Sequence, residues 1–90
     1  MEKNHYDRLF EAILSLESKA DCAVFFEDLC TIKELKDMHD RLEVAQRLLT
    51  GETYENIVRE TKMSSATISR VNRCIQYGSG GYKRILKRLK

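Results

Sequence analysis

The residues best suited to chemistry lie in the run Ser65-Ala66-Thr67-Ile68-Ser69-Arg70-Val71-Asn72-Arg73. Ile68 and Val71 stand three apart and define an inward face of a helix. Ser65, Ala66, Thr67, Ser69, Arg70, Asn72 and Arg73 are left for solvent or a ligand. These are recognition groups rather than bond-breaking groups. Hydroxyls both donate and accept hydrogen bonds. Small residues let a helix backbone approach base edges closely, and Ala66 or the Thr67 methyl suits a thymine methyl. The free amides and dipole of a helix N-terminus favour phosphate. Lys62, Arg70 and Arg73 supply charge for a phosphate backbone, which gives affinity without sequence information.

Other chemistries lack their parts. His5 and His39 are the only histidines. His39 adjoins Asp40, but neighbours along a helix point in different directions. There is no nucleophile–base pair, no glycine-rich phosphate loop and no metal-ligand spacing, so neither catalysis nor a metal is expected. Cys22, Cys30 and Cys74 are odd in number and lack C-x-x-C spacing. They read as reduced thiols of a cytosolic protein, in packing roles. No apolar run reaches the roughly 18 residues of a membrane span. The stretch Met1 to Arg8 is polar and charged, without a signal-peptide core.

Charge is distributed unevenly. Residues 1–61 carry 8 Lys/Arg against 14 Asp/Glu, whereas residues 62–90 carry 8 Lys/Arg and no acid. A third of the chain with one sign of charge suits a polyanion; a solvated basic tail explains it equally well.

These residues must be positioned by helices. An apolar face with Leu9, Phe10, Ile13, Leu14 and Leu16 predicts a helix from about Asn4 to Glu17. After a break at Ser18-Lys19, a shorter helix from about Ala20 to Leu29 is apolar nearly all round in its second half, which predicts burial against more than one neighbour. Thr31-Ile32-Lys33-Glu34 is a capping box. The central helix it starts carries Ile32, Leu35, Met38, Leu42, Ala45, Leu48 and Leu49 inward and runs to about Thr50, with Gly51 as its stop. Thr53 caps a helix from Tyr54 to Thr61 with Ile57 and Val58 inward. A turn, Lys62-Met63-Ser64, leads to a helix from Ser65 to Tyr77 with Ile68, Val71 and Ile75 inward. Tyr54 and Tyr77 flank this pair, as half-buried packing residues or phosphate contacts. Gly78-Ser79-Gly80-Gly81 is the one flexible stretch. A last amphipathic helix, Tyr82 to Lys90, sets Ile85, Leu86 and Leu89 against Lys83, Arg84, Lys87, Arg88 and Lys90. Two short helices joined by a tight turn, at about residues 53–77, form a helix-turn-helix within a single domain, 1–90.

Thr31 to Gln76 resembles the Trp-repressor superfamily, and more closely its YerC/YecD branch. The resemblance rests on Arg41-Leu42, on Leu48-Leu49-Thr50-Gly51-Glu52-Thr53 and on Ala66-Thr67-Ile68-Ser69-Arg70. It implies an all-α fold of six helices, an intertwined homodimer and double-stranded DNA as partner. It places Asn56 and Arg59 where the first helix of the motif meets DNA, and Ser65, Ala66 and Ser69 where the recognition helix reaches base edges. It also matches Thr31, Arg41, Thr67 and Arg70 to the positions of the family's tryptophan pocket. Two residues depart from that pocket: Val71 stands where the family has glycine, and Cys74 where it has serine. The turn is also one residue shorter. These departures speak against tryptophan as a corepressor, and no cofactor is expected.

The reading is a sequence-specific, dimeric transcription regulator, with repression as its expected mode. The alternative is a helical protein-interaction adaptor that docks partners through its acidic and basic halves and shows no sequence preference on DNA.

Overall fold

The structure, a computed structural model, describes the backbone of residues 3–89 and the side chains of residues 5–89. Six α-helices follow a short 3₁₀ turn, Lys3–Tyr6. They are α1 (Asp7–Leu14), α2 (Lys19–Leu29), α3 (Ile32–Leu49), α4 (Tyr54–Thr61), α5 (Ser65–Tyr77) and α6 (Gly81–Arg88). The fold is all-α, with no strand among the described residues. The chain divides between Leu35 and Lys36 into two compact units.

In the first unit, α1 is shorter than its apolar face predicts. The Ser15 hydroxyl donates to the Ala12 carbonyl at 2.7 Å, and the Leu16 amide bonds Ile13 at 3.2 Å. The last turn thus tightens and closes before Glu17. Ser18 then caps α2 by accepting the Asp21 amide at 3.0 Å, while the Asp21 carboxylate accepts the Glu17 amide at 3.0 Å. The expected burial of α2 is not found: none of its residues is buried, and Val24 is 64% exposed. Leu14 on α1 is 84% exposed. These apolar faces stand open to solvent in the single chain. The Thr31 capping box closes as its residue types require, with Glu34 N–H to Thr31 Oγ1 at 3.0 Å and Thr31 N–H to Glu34 Oε1 at 2.8 Å.

The second unit holds the core. Val44 and Ala45 of α3, Ile57 of α4, and Ile68, Val71 and Ile75 of α5 are buried together. Leu48, Met63, Tyr82 and Leu86 pack around them. Val44 is a correction to the expected apolar row of α3. It is fully buried, whereas Leu42, Met38 and Leu49 of that row remain 40% exposed and Ile32 90%. Val58 is a second correction, at 36% exposed, because a helix of eight residues presents one central position, Ile57, to this small core. Two cysteines expected in packing roles, Cys22 and Cys74, are exposed, and all three are free thiols. The last helix starts one residue earlier than expected, at Gly81. It ends at Arg88, with Leu89 already extended, short of the expected end at Lys90, which lies outside the described residues.

Candidate nucleic-acid interface

The central helix ends through a turn that requires Gly51. With φ of +94°, Gly51 sits in the left-handed region, where a Cβ would be strained. Its amide bonds the Leu48 carbonyl and the Glu52 amide bonds the Arg47 carbonyl, both at 3.1 Å. These two bonds are the paired closure of a Schellman end, and they satisfy carbonyls that the helix leaves open. The chain is thereby turned so that Thr53 caps α4, accepting the Asn56 amide at 3.1 Å.

An electrostatic clamp then fastens α4 to α3. The Arg47 guanidinium, 24% exposed, donates to Glu43 at 3.0 Å, to Glu52 at 3.1 Å and to Glu60 at 2.9 Å. Hydrogen bonds to Glu60 and then Glu43 hold its pKa above the ordinary arginine value. Glu52 Oε1 also accepts the Asn56 side-chain amide at 2.7 Å. Asn56 Oδ1 in turn accepts from the Arg59 guanidinium. Pattern reading missed this network, since its members are scattered over residues 43–60 and no periodicity joins them.

The turn between the two motif helices is Lys62-Met63-Ser64, as the spacing predicts. Lys62 takes the left-handed conformation at φ 64°, unusual for a residue with a Cβ, and its amide bonds the Val58 carbonyl at 2.9 Å. The Thr61 hydroxyl donates to the Ile57 carbonyl at 2.6 Å and accepts the Met63 amide at 3.3 Å. Ser64 caps α5 by accepting the Thr67 amide at 3.2 Å, and the two hydroxyls lie 3.1 Å apart. Thr67 is thus turned to the cap and half-buried, rather than wholly outward.

Buried Ile68, Val71 and Ile75 orient the rest of α5. Ser65, Ala66, Ser69, Arg70 and Arg73 are all exposed, at spacings of three and four that put them on one face. Asn72 is half-buried. Arg59 and Lys62 are exposed on the neighbouring helix and turn. Lys62, Arg70 and Arg73 enter no ion pair among the described residues, so their charge is free for an anion. Tyr54 is 37% exposed, whereas Tyr77 is 85% exposed and so is not the half-buried packing residue expected. On α6, Lys83, Arg84, Lys87 and Arg88 line an open concavity of about 510 Å³ with Gly80.

Of the residues matched to a ligand pocket, Arg41, Thr67 and Arg70 lie in the second unit and share no hydrogen bond or ion pair with one another among the described residues. Arg41 and Arg70 are exposed and make neither among the described residues. The Thr31 hydroxyl serves as the α3 cap, and Thr67 faces Ser64. Val71 is 1% exposed within the core, filling space that a glycine would leave open.

The Trp repressor protein family matches residues 4–90. The chain belongs to the Trp-repressor family. It is 51% identical over 84 residues to the uncharacterised protein YerC of Bacillus subtilis (strain 168), covering 93% of this chain and 81% of that protein. That likeness places it in the YerC branch. Two crystal structures superpose with a TM-score of 0.92 each. One is of a TrpR-like protein from Eubacterium eligens ATCC 27750, 45% identical, covering 98% of this chain and 91% of that one. The other is of a candidate Trp repressor from Staphylococcus aureus, 44% identical, covering 98% of this chain and 88% of that one. The six-helix arrangement is thus the TrpR-like fold, and the protein is a regulator of the DNA-binding, helix-turn-helix kind. No described helix is long and apolar enough to cross a membrane.

Proposed function

We propose that this Trp-repressor family member binds a pseudo-palindromic operator as a homodimer and acts there as a repressor, without catalysis. The observation that carries this reading is the exposed face of α5. Ser65, Ala66, Ser69, Arg70 and Arg73 stand on one side of a helix whose other side is locked in the core by Ile68, Val71 and Ile75. A rigid helix with small polar groups near its start and guanidiniums further along suits a major groove. Ser65, Ala66 and Ser69 reach base edges there, while Lys62, Arg70 and Arg73 meet phosphates. Thr67 contributes its methyl, its hydroxyl being engaged by Ser64. Arg59 adds a phosphate contact from α4, beside Asn56.

Homodimerisation is supported by the apolar surface of the first unit. Leu14, Val24 and Leu29 are 84%, 64% and 50% exposed, and apolar faces of this kind on a small chain call for a partner surface. A second copy of this chain is the partner that fits, in keeping with the homodimer that the family resemblance implies. DNA binding proceeds without tryptophan, because Val71 and Cys74 stand where the family resemblance puts the pocket's glycine and serine, and Val71 is a bulkier, buried side chain. The DNA partner puts the protein's work in the cytoplasm.

The experiment is selection from a random duplex library with purified protein at physiological salt, followed by sequencing of the bound pool. Enrichment of a pseudo-palindrome with half-sites about one helical turn (about 34 Å) apart is the expected result. A bound pool with no sequence preference would overturn the reading in favour of an adaptor.

A further inference from the structure

Both polar ends of the Asn56 side chain are engaged inside the protein. Its amide nitrogen donates to Glu52 Oε1 at 2.7 Å, and its carbonyl oxygen accepts from Arg59. Glu52 Oε1 is itself held by Arg47 at 3.1 Å, and Arg47 is anchored on α3 by Glu43. A continuous chain of bonds therefore runs from the central helix, through Glu52 and Asn56, to the Arg59 guanidinium on the surface of α4. The bond to Glu52 also fixes which end of the Asn56 amide faces Arg59, since only the nitrogen can donate to a carboxylate.

We infer that Asn56 is a positioning residue, which aims Arg59 at a DNA phosphate, and that it reads no base itself. This deepens the operator-binding reading and rests on it. An asparagine that reads adenine needs both its carbonyl and its amide free for the base edge. Here the carbonyl already accepts from Arg59 and one amide hydrogen goes to Glu52, so the side chain is held at both ends by the protein, and its remaining lone pair and hydrogen are oriented by these bonds rather than by a base edge. Arg59 keeps further donors, because a guanidinium has five and one is engaged among the described residues. A long arginine side chain on an exposed helix has many rotamers, and ordering it on binding costs entropy. The bond to Asn56 orders it beforehand, in the manner by which a clamped side chain meets its ligand at lower cost. Base selectivity is left to α5, and α4 sets register on the backbone.

The inference is tested on the full-length protein with the selected operator and a scrambled duplex of equal length, over a series of salt concentrations. The variants are Asn56→Ala, Arg59→Ala, the double variant, and Ser69→Ala as a base-reading control. Arg59→Ala is expected to lower the slope of log affinity against log salt by roughly 0.9 for each phosphate it leaves without a cation. Asn56→Ala is expected to weaken both duplexes alike, leaving the operator-to-scrambled ratio unchanged. The double variant is expected to bind as Arg59→Ala does, because Asn56 acts through Arg59. Ser69→Ala lowers the ratio. If Asn56→Ala lowers the ratio, or if its effect adds fully to that of Arg59→Ala, the inference is overturned. Should Asn56→Ala unfold, Glu52→Gln carries the test, since it weakens the hold on Asn56 while keeping an acceptor. A wild-type protein without preference for any duplex defeats the operator reading itself, and is seen before any variant is compared.

Discussion

Arg47 Nη1 lies 2.9 Å from Glu60 Oε1, across 13 residues of sequence, and this contact ties the end of the central helix to the last turn of α4. The same guanidinium holds Glu43 and Glu52. One side chain thus closes the corner at which the helix-turn-helix leaves α3. Arg47→Met is expected to lower the thermal midpoint by several degrees, because three carboxylates then face one another without a cation. Arg47→Lys is expected to recover part of the loss, since an ammonium keeps the charge but not the planar fork. Thermal unfolding followed by circular dichroism checks both. The raised Arg47 pKa means that its clamp is fully present below the unfolded arginine value and is lost only as pH rises beyond it, so no loss from this group is expected on the alkaline side of neutrality.

Lys62 couples stability and binding in opposite senses. Its φ of 64° is strained for a residue with a Cβ. Lys62→Gly removes that strain and is expected to stabilise the fold by up to about 1 kcal/mol, after the larger chain entropy of unfolded glycine is set against it. The same change removes a cation beside α5, so DNA affinity is expected to fall. Urea unfolding and a binding titration on one preparation decide the matter. A variant that is more stable and binds DNA as tightly as before would remove Lys62 from the interface.

Tyr82 carries the pH dependence. Burial raises its pKa above the ordinary 10.0, the neighbouring Cys74 raises it further, and Arg41 opposes both. The folded state therefore favours the neutral phenol. The contribution is complete below the unfolded pKa of 10.0 and disappears as pH rises through the higher folded value. Tyr82→Phe is expected to be stable at neutral pH and to lose less stability than the wild type above the unfolded pKa of 10.0. Urea midpoints measured from neutral pH upward give the comparison.

Val71 is 1% exposed in the core formed with Ile57 and Ile68. Truncation at one of the largest of these, Ile68→Ala, is expected to cost about 2–5 kcal/mol. Tryptophan at millimolar concentration is expected to leave both the thermal midpoint and operator affinity where they were. A ligand bound at about 100 times its Kd would instead add about 2.7 kcal/mol, a shift that thermal unfolding reads easily. A clear upward shift would show that the family's effector site is kept despite Val71.

Leu14, 84% exposed on α1, is expected to lie under a second copy. Leu14→Glu should shift the mass measured by light scattering from dimer toward monomer and make the thermal midpoint fall on dilution. An unchanged mass in wild type and variant would place the dimer contact elsewhere.

The helix boundaries of the motif follow from the sequence because they are set by local chemistry. Thr31 with Glu34, Gly51, Thr53 and Ser64 each act within a few residues of themselves, through caps and turns whose bonds appear where those residue types call for them. The α5 face is legible for the same reason, since Ile68, Val71 and Ile75 mark its inner side by spacing alone. Local pattern fails where an outcome depends on what lies across the fold. Which apolar residue of α3 is buried, Val44 rather than Leu42, depends on where α4 and α5 lie against it. Val58 stays at the surface and Tyr77 stands in solvent because no second element covers them in the single chain. The Arg47 clamp joins charges from two helices and the turn between them, and charged residues carry no signal of their partners until the chain brings them within hydrogen-bond reach. Sequence alone thus determined the helices of the motif and the buried side of α5, while two α5 residues expected to face outward, Thr67 and Asn72, are half-buried. Tertiary structure decided which side chains fill the core and how α4 is held, because burial and long-range ion pairs are properties of the assembled helices.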